Sequence, residues 1–331
     1  MILILSRDAD EHTTRVIEHL EHKGAPYVYF RTSDFCRTDR ITLSFGLDFD
    51  FEDALNIRGV RVRASDIKTI WFRRPDPPFA SLDLSAGMQT FMIRECRHFI
   101  DGLWRTMSDR FWVNSPEAER LADWKPHQLA IARECGLSIP KTLIGNSPQE
   151  ILEFISECGG EVVYKCFTNY GRDEENHTRF KMLYTRKLEP PDMDSIPRSA
   201  ALAPGIYQEY VPKQYELRIT VVGREIYPTA LDSQSCDFSK HDWRIFEMDG
   251  NRNSFVIPHR AASVPESVAA GIRRLMDKLG LAFGCIDMIV RPDNEHVFLE
   301  VNPMGQWTWL EPLTGFPLLD RFCNLLMQGS S

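Results

Sequence analysis

Two apolar runs joined by a polar turn constrain this chain more than any other stretch. They read Phe283-Gly-Cys-Ile-Asp287-Met-Ile-Val, then Arg-Pro-Asp-Asn-Glu, then His-Val-Phe-Leu-Glu300-Val-Asn302. The runs have strand composition, and the Pro-Asp-Asn-Glu between them has turn chemistry, so a β-hairpin is expected over 283–302. Side chains alternate along a strand, which directs Val297, Leu299 and Val301 to the core and leaves Glu300 and Asn302 together on the other face. In-register pairing would bring Asp287 beside them. Buried strands rarely hold carboxylates without a partner. Two readings follow: ordinary solvated acids on an edge hairpin, or a hard, incomplete oxygen shell suited to Mg2+ with positions left for water and phosphates.

At 331 residues and 43% hydrophobic content, the chain can form two or three packed domains. Its apolar runs fall well short of the ~20 residues a membrane helix needs, and the opening Met-Ile-Leu-Ile-Leu-Ser-Arg reads as a strand rather than a signal peptide. No membrane association and a cytoplasmic location are therefore expected. The eight cysteines, at 36, 96, 135, 158, 166, 236, 285 and 323, form no Cys-x-x-Cys pair and read as reduced, mostly buried thiols. A formal charge of -8 disfavours general nucleic-acid binding.

Strand and helix signals alternate at the start: a strand over 2–5, a helix over 10–23 stopped by Gly24, and a strand over 27–30, a βαβ opening that implies a parallel sheet. Ile70-Trp-Phe-Arg73-Arg74-Pro75 is a strand running into two arginines. After it, Met88, Phe91, Met92, Phe99, Leu103 and Met107 recur at helical spacing and read as one buried helix face. A second unit holds a helix over 125–135, a strand over 142–144, a helix opened by Ser147-Pro148-Gln-Glu150, and a strand over 161–165 that ends in lysine. Antiparallel strands over 206–211, 216–222 and 225–231 follow. Then come a long polar excursion over 233–253 and a helix over 265–279 with Ser263 and Glu266 as its capping box. The expected architecture is α/β followed by α+β, with boundaries at 1–114, 115–204 and 205–331.

Several charged residues stand where strands end. Lys165 closes an apolar strand, Gln208-Glu209-Tyr210-Val211 follows about forty residues later, and Glu216 and Arg218 share one face of a strand whose other face is apolar. Taken singly, each is an ordinary solvated strand residue. In this order, with Asp287, Glu300 and Asn302 beyond, they outline a nucleotide site assembled from distant pieces.

At this point the chain resembles the ATP-grasp superfamily over residues 115–325, with a pre-ATP-grasp domain before it. The resemblance implies that ATP lies between two lobes. Lys125 and Lys165 would meet the phosphates, Gln208, Glu209, Tyr210 and Val211 would form the adenine hinge, and Glu216 would hold the ribose. Asp287, Glu300 and Asn302 would hold Mg2+. The segment Cys166-Phe-Thr-Asn-Tyr-Gly171-Arg, in the place of the family's Gly-rich phosphate loop, carries one glycine. Within the superfamily the chain is most similar to the microviridin-type peptide maturases, or graspetide synthetases. The shared words are Trp71-Phe-Arg73-Arg74-Pro75, Asp242-Trp243-Arg244 and Glu300-Val-Asn302-Pro303-Met-Gly305-Gln306-Trp307. Met304 stands where asparagine is expected.

This resemblance implies a carboxylate ligase that activates Asp or Glu side chains of a ribosomal precursor peptide as acyl phosphates. Ser, Thr or Lys side chains would then close ω-ester or ω-amide rings. Arg218 is the candidate to steady the acyl phosphate, because a guanidinium fork matches phosphate oxygens and stays charged. Arg244 and Arg73 would either orient the acceptor carboxylate or serve as structural ion-pair partners. His241 and His259 lie in regions where a base could act, although a lone histidine is more often structural. The resemblance also implies a leader helix on the precursor, a groove near 233–253 or the N-terminal helices, and a homodimer. Two alternatives stay open: an ATP-grasp ligase joining amino acids to a small molecule or protein end, and a non-catalytic nucleotide-binding regulator.

Overall fold

The computed structural model describes residues 1–43, 54–78, 83–168, 170–172, 180–182, 184–235, 239–240, 242–244 and 257–329. His241, Cys236 and most of the 233–253 excursion lie outside the described residues.

A continuous apolar run gives the first strand, Ile2–Ser6, which is buried throughout, as a parallel strand covered on both faces requires. The helix Glu11–His22 follows, with Asp10 as N-cap accepting from the Thr13 amide. Ile2–Ser6 pairs in parallel with Tyr27–Arg31 on one side and Thr69–Arg73 on the other, and Phe111–Val113 completes a four-stranded parallel sheet. The helix Ala86–Thr106 covers it, but its buried stripe begins only at Cys96 and continues through Ile100, Leu103 and Trp104. Met88 and Phe91, expected on that buried face, are 49% and 57% exposed. Their turns precede the part of the helix that packs on the N-terminal core.

The central sheet orders Arg186–Lys187, Val162–Lys165, Gly205–Glu209 and Thr142–Gly145 antiparallel. Ser147 caps the helix Pro148–Glu157 as its sequence implies, accepting from the Glu150 amide. The C-terminal sheet orders His259–Ala261, Glu225–Leu231, Tyr215–Val222, Phe283–Val290 and His296–Asn302. One face of it buries Leu217, Ile219, Val221, Ile286, Met288, Phe298 and Val301 against the helices Pro116–Asp123, Lys125–Glu134 and Glu266–Leu279. Burying each such side chain contributes about 1.5–3 kcal/mol. The other face is a cleft floor. Glu266–Leu279 starts at Pro265 with no side-chain cap hydrogen bond, so the expected Ser263 capping box does not form; Ser263 lies outside the cap position.

The hairpin departs from simple alternation in one place. Asp287 pairs with Glu300, but the next residue, Met288, pairs with Phe298, leaving Leu299 as an extra residue in its strand. A bulge of this kind reverses which face successive side chains take. Phe298 and Val301 therefore face the core, whereas Val297 and Leu299, expected in the core with Val301, gather with Val211 and Ile289 on the cleft side.

A last helix, Leu318–Gln328, returns to the beginning of the chain. Phe322 meets Trp71 edge-on at 5.0 Å and lies 5.1 Å from both Phe283 and Trp307. Ile2, Ile4, Val16 and Leu20 join the same core. No helix among the described residues is long and apolar enough to cross a membrane.

Candidate active site

Central and C-terminal sheets face each other across a cleft of about 1050 Å³ including its open mouth. Ten of the residues singled out in the sequence line it: Lys125, Lys165, Gln208, Glu209, Tyr210, Val211, Glu216, Arg244, Asp287 and Glu300. At one end Val163, Ile206, Val211, Ile289 and Leu299 supply an apolar lining suited to a flat ring. Glu209 joins the two sides of the hinge, its amide donating to the Lys141 carbonyl and its carboxylate accepting from the Lys141 amide at 3.0 Å. Glu216 is buried and paired with Lys213 at 3.0 Å. Lys213 is a cleft residue that the sequence reading did not pick out, although its position three residues before Glu216 was a usable signal.

Polar groups converge at the other end. Arg218 Nη1 lies 3.0 Å from both oxygens of Asp287, and its Nη2 donates to the Gln306 carbonyl. Lys125 Nζ is 2.5 Å from Glu300, and Arg244 Nη1 stands 3.8 Å from the same carboxylate. Arg244 also grips Asp242 through Nε and Nη2 at 2.8 and 2.7 Å. Asn302 Nδ2 donates to Asp287 and to Glu300, at 3.1 Å each. Lys165 Nζ donates to Gln208 Oε1 at 2.7 Å.

Burial sets the electrostatics, and the partners correct it. Burial alone would raise the Glu300 carboxyl, but Lys125 and then Arg244 hold it far below the carboxylate range. Burial pushes the Asp287 carboxyl up, with Glu300 adding to the push, against the pull of Arg218. Asp242 is held low by Arg244 despite burial. Arg218 and Arg244 stay charged because Asp287 and Asp242, respectively, outweigh their burial. The Lys165 ammonium, which meets no carboxylate among the described residues, is pushed down to about 8 by burial.

Among the described residues no group of three or more His, Cys, Asp or Glu side chains is placed to share a metal. The two acids and one amide of the hairpin are the candidate set. They fit Mg2+: all three converge, all offer oxygen, and turning the Asn302 amide over presents Oδ1 where Nδ2 now meets both carboxylates. The strand bearing Glu300 and Asn302 is a sheet edge, so its outer backbone groups need other partners. Gln128, buried on Lys125–Glu134, supplies them at the residue between Glu300 and Asn302: Nε2 donates to the Val301 carbonyl at 2.8 Å and Oε1 accepts from its amide at 3.0 Å. No local pattern marks this lock, because its partner is 173 residues away.

Arg73 is not in the cleft. It is buried behind the turn that follows Asn302, donating to the carbonyls of Met304 at 2.5 Å and Gly305 at 3.1 Å, with Asp10 at 3.5 Å. Gly305 has no room for a side chain: a Cβ there would come within 2.5 Å of Cys285 Cβ and 2.9 Å of Arg218 Nη2.

Residues 1–120 match the family described as the MvdD pre-ATP grasp domain. Over nearly its whole length the chain is similar to the Chryseobacterium gregarium RiPP-associated ATP-grasp ligase, solved with ADP and a leader and core peptide. The two are 27% identical, with a TM-score of 0.88 over 99% of this chain and 96% of that one. The chain has the ATP-grasp fold of these ligases. It is also similar to the macrocyclase MdnC of Microcystis aeruginosa, solved with the precursor peptide MdnA, at 27% identity and a TM-score of 0.84 over 99% of both chains. PsnB, solved with a minimal precursor, Mg and ADP, shares the fold at 21% identity and a TM-score of 0.76. No curated protein sequence matches the chain.

Proposed function

We propose that this protein is an ATP- and Mg2+-dependent peptide ligase, a macrocyclase that joins Asp or Glu side chains of a ribosomal precursor peptide to its Ser, Thr or Lys side chains. The observation that carries this reading is the convergence of Asp287, Glu300 and Asn302 with Lys125, Arg218 and Arg244 at one end of a cleft whose other end is apolar. Full-length similarity to two ligases solved with peptides supports a peptide substrate.

In this reading the adenine lies against Val211, Ile289 and Leu299, and Glu216 receives the ribose. Lys165 and Lys125 neutralise phosphate charge. When bound at Asp287, Glu300 and Asn302, Mg2+ supplies charge neutralisation at the phosphate oxygens. A carboxylate oxygen of the peptide attacks the γ-phosphorus, the bond to the bridging oxygen breaks, and ADP leaves. The acceptor hydroxyl or amine then attacks the acyl carbon, phosphate leaves with the carboxylate's original oxygen, and the acceptor loses its proton to solvent or phosphate. Arg218 steadies the negative oxygens in both steps, and Arg244 orients the carboxylate. A leader helix on the precursor, a homodimer, domain boundaries near 114 and 204, and a cytoplasmic location complete the proposal.

The test is incubation of the purified protein with ATP, Mg2+ and the precursor peptide from a short neighbouring reading frame. ADP and phosphate should appear only with peptide, and the peptide should lose one water mass per link. Release of ADP with an unlinked, phosphorylated peptide would sink the reading. Chemical hydrolysis of the product separates ester from amide links.

A further inference from the structure

Arg218 holds the turn after Asn302 from the cleft side through the Gln306 carbonyl, and the N-terminal unit grips it from behind. Asn114 Nδ2 donates to the Pro303 carbonyl at 3.4 Å, Arg73 and Arg74 both donate to the Met304 carbonyl, and Arg73 also reaches Gly305. The amides of Trp307 and Thr308 point the other way, to a single acceptor: the buried His12 Nε2, at 3.0 and 3.4 Å. The His12 ring also packs edge-on to Trp307 at 5.7 Å. His12 lies in the first turn of Glu11–His22, about 300 residues earlier in sequence and in a different sheet unit from the turn it grips.

We propose that His12 is a positioning residue of the metal site, acting across the unit boundary by accepting the Trp307 and Thr308 amides and so fixing the turn that follows the strand bearing Glu300 and Asn302. An imidazole nitrogen that accepts an N–H has no proton of its own, so the role requires the neutral ring with its proton on Nδ1. The surroundings enforce this. Burial and then Arg73 push the imidazole down to about 3, and Arg74 and Arg15 act in the same direction against Asp10. Without His12 two buried amides lose their acceptor. The turn can then relax away from the hairpin, and groups that orient ligands from behind commonly change metal affinity about 10- to 100-fold.

The inference rests on the assignment of Asp287, Glu300 and Asn302 to Mg2+, but its test needs no peptide. ADP binding to the full chain is measured calorimetrically without Mg2+ and across a Mg2+ titration, for wild type, His12→Ala, His12→Asn and His12→Gln. His12→Ala is expected to raise the Mg2+ concentration for half-maximal tightening about tenfold while leaving Mg2+-free ADP affinity within about twofold. His12→Gln, whose Oε1 reaches the place of Nε2, should restore the wild-type requirement, and the shorter His12→Asn should not. Should His12→Ala fail to fold, the Gln and Asn pair carries the comparison. An unchanged Mg2+ requirement in folded His12→Ala or His12→Asn overturns the proposal, as does equal weakening with and without Mg2+. A wild-type protein that binds ADP with Mg2+ but links no peptide overturns the macrocyclase reading alone.

Discussion

Lys165 carries an ordinary side chain in an unusual setting. Its ammonium is buried against a neutral amide, which brings its loss of charge to about pH 8. Phosphate binding favours the charged form, so ADP affinity should fall as pH rises through about 8 and proton uptake on binding should appear in the same window. Calorimetry in buffers of different ionisation enthalpy reads both, and Lys165→Met should abolish the pH slope. The sign for stability is opposite: between pH 8 and 10.5 the unfolded chain holds a proton that the folded one has released, so the fold gains stability with rising pH there. Arg218 makes a different residue-scale prediction. Arg218→Ala strands Asp287 as a buried charge, and urea denaturation at neutral pH should show a loss of about 3–5 kcal/mol alongside lost turnover.

Two short segments show how an element fixes the site. In the 303–308 turn, Gly305→Ala would drive a methyl into Cys285 and Arg218. Overpacking of this kind costs about 1–3 kcal/mol, and the displaced Arg218 should lower turnover more than ADP affinity, a split that steady-state kinetics and binding would resolve. In Pro116–Asp123, buried Glu119 accepts from Asn114 at 3.0 Å, and burial pushes its carboxyl up to about 8. Between the ordinary 4.5 and 8 the folded chain keeps a proton the unfolded chain has lost, so stability falls as pH rises through that window. Glu119→Gln should flatten this fall in melts at stepped pH. Strand and helix periodicity placed the hairpin, its acids and the Ser147 cap in the sequence. It did not reveal the bulge at Leu299, because one extra residue leaves no mark on composition while reversing Val297 and Leu299. Nor did it reveal Gln128 or His12, whose partners lie far away in sequence.

Across the whole molecule, the N-terminal and C-terminal units share one apolar centre of Ile2, Ile4, Trp71, Phe283, Trp307 and Phe322, so they should unfold together. Phe322→Ala should cost about 3–5 kcal/mol and lower the melting point of both units together; two separate transitions would contradict the shared core. The cleft's composition was legible from the order of Lys165, Glu209, Glu216, Asp287 and Glu300, since widely spaced polar residues at strand ends imply a site between sheets. The role of Arg73 was not, because a sequence cannot distinguish an arginine facing a cleft from one gripping carbonyls behind it. The closing helix Leu318–Gln328 also bears on how the chain is made. Synthesis runs from the N-terminus at roughly 5–20 residues per second, so the face of Ile2–Ser6 that Phe322 covers stays bare for tens of seconds after it leaves the ribosome. Until this helix emerges, the nascent protein presents a sticky apolar surface, and holding chaperones should bind ribosome-stalled chains that stop before Leu318 and release those in which an added C-terminal linker carries Leu318–Gln328 clear of the ribosome.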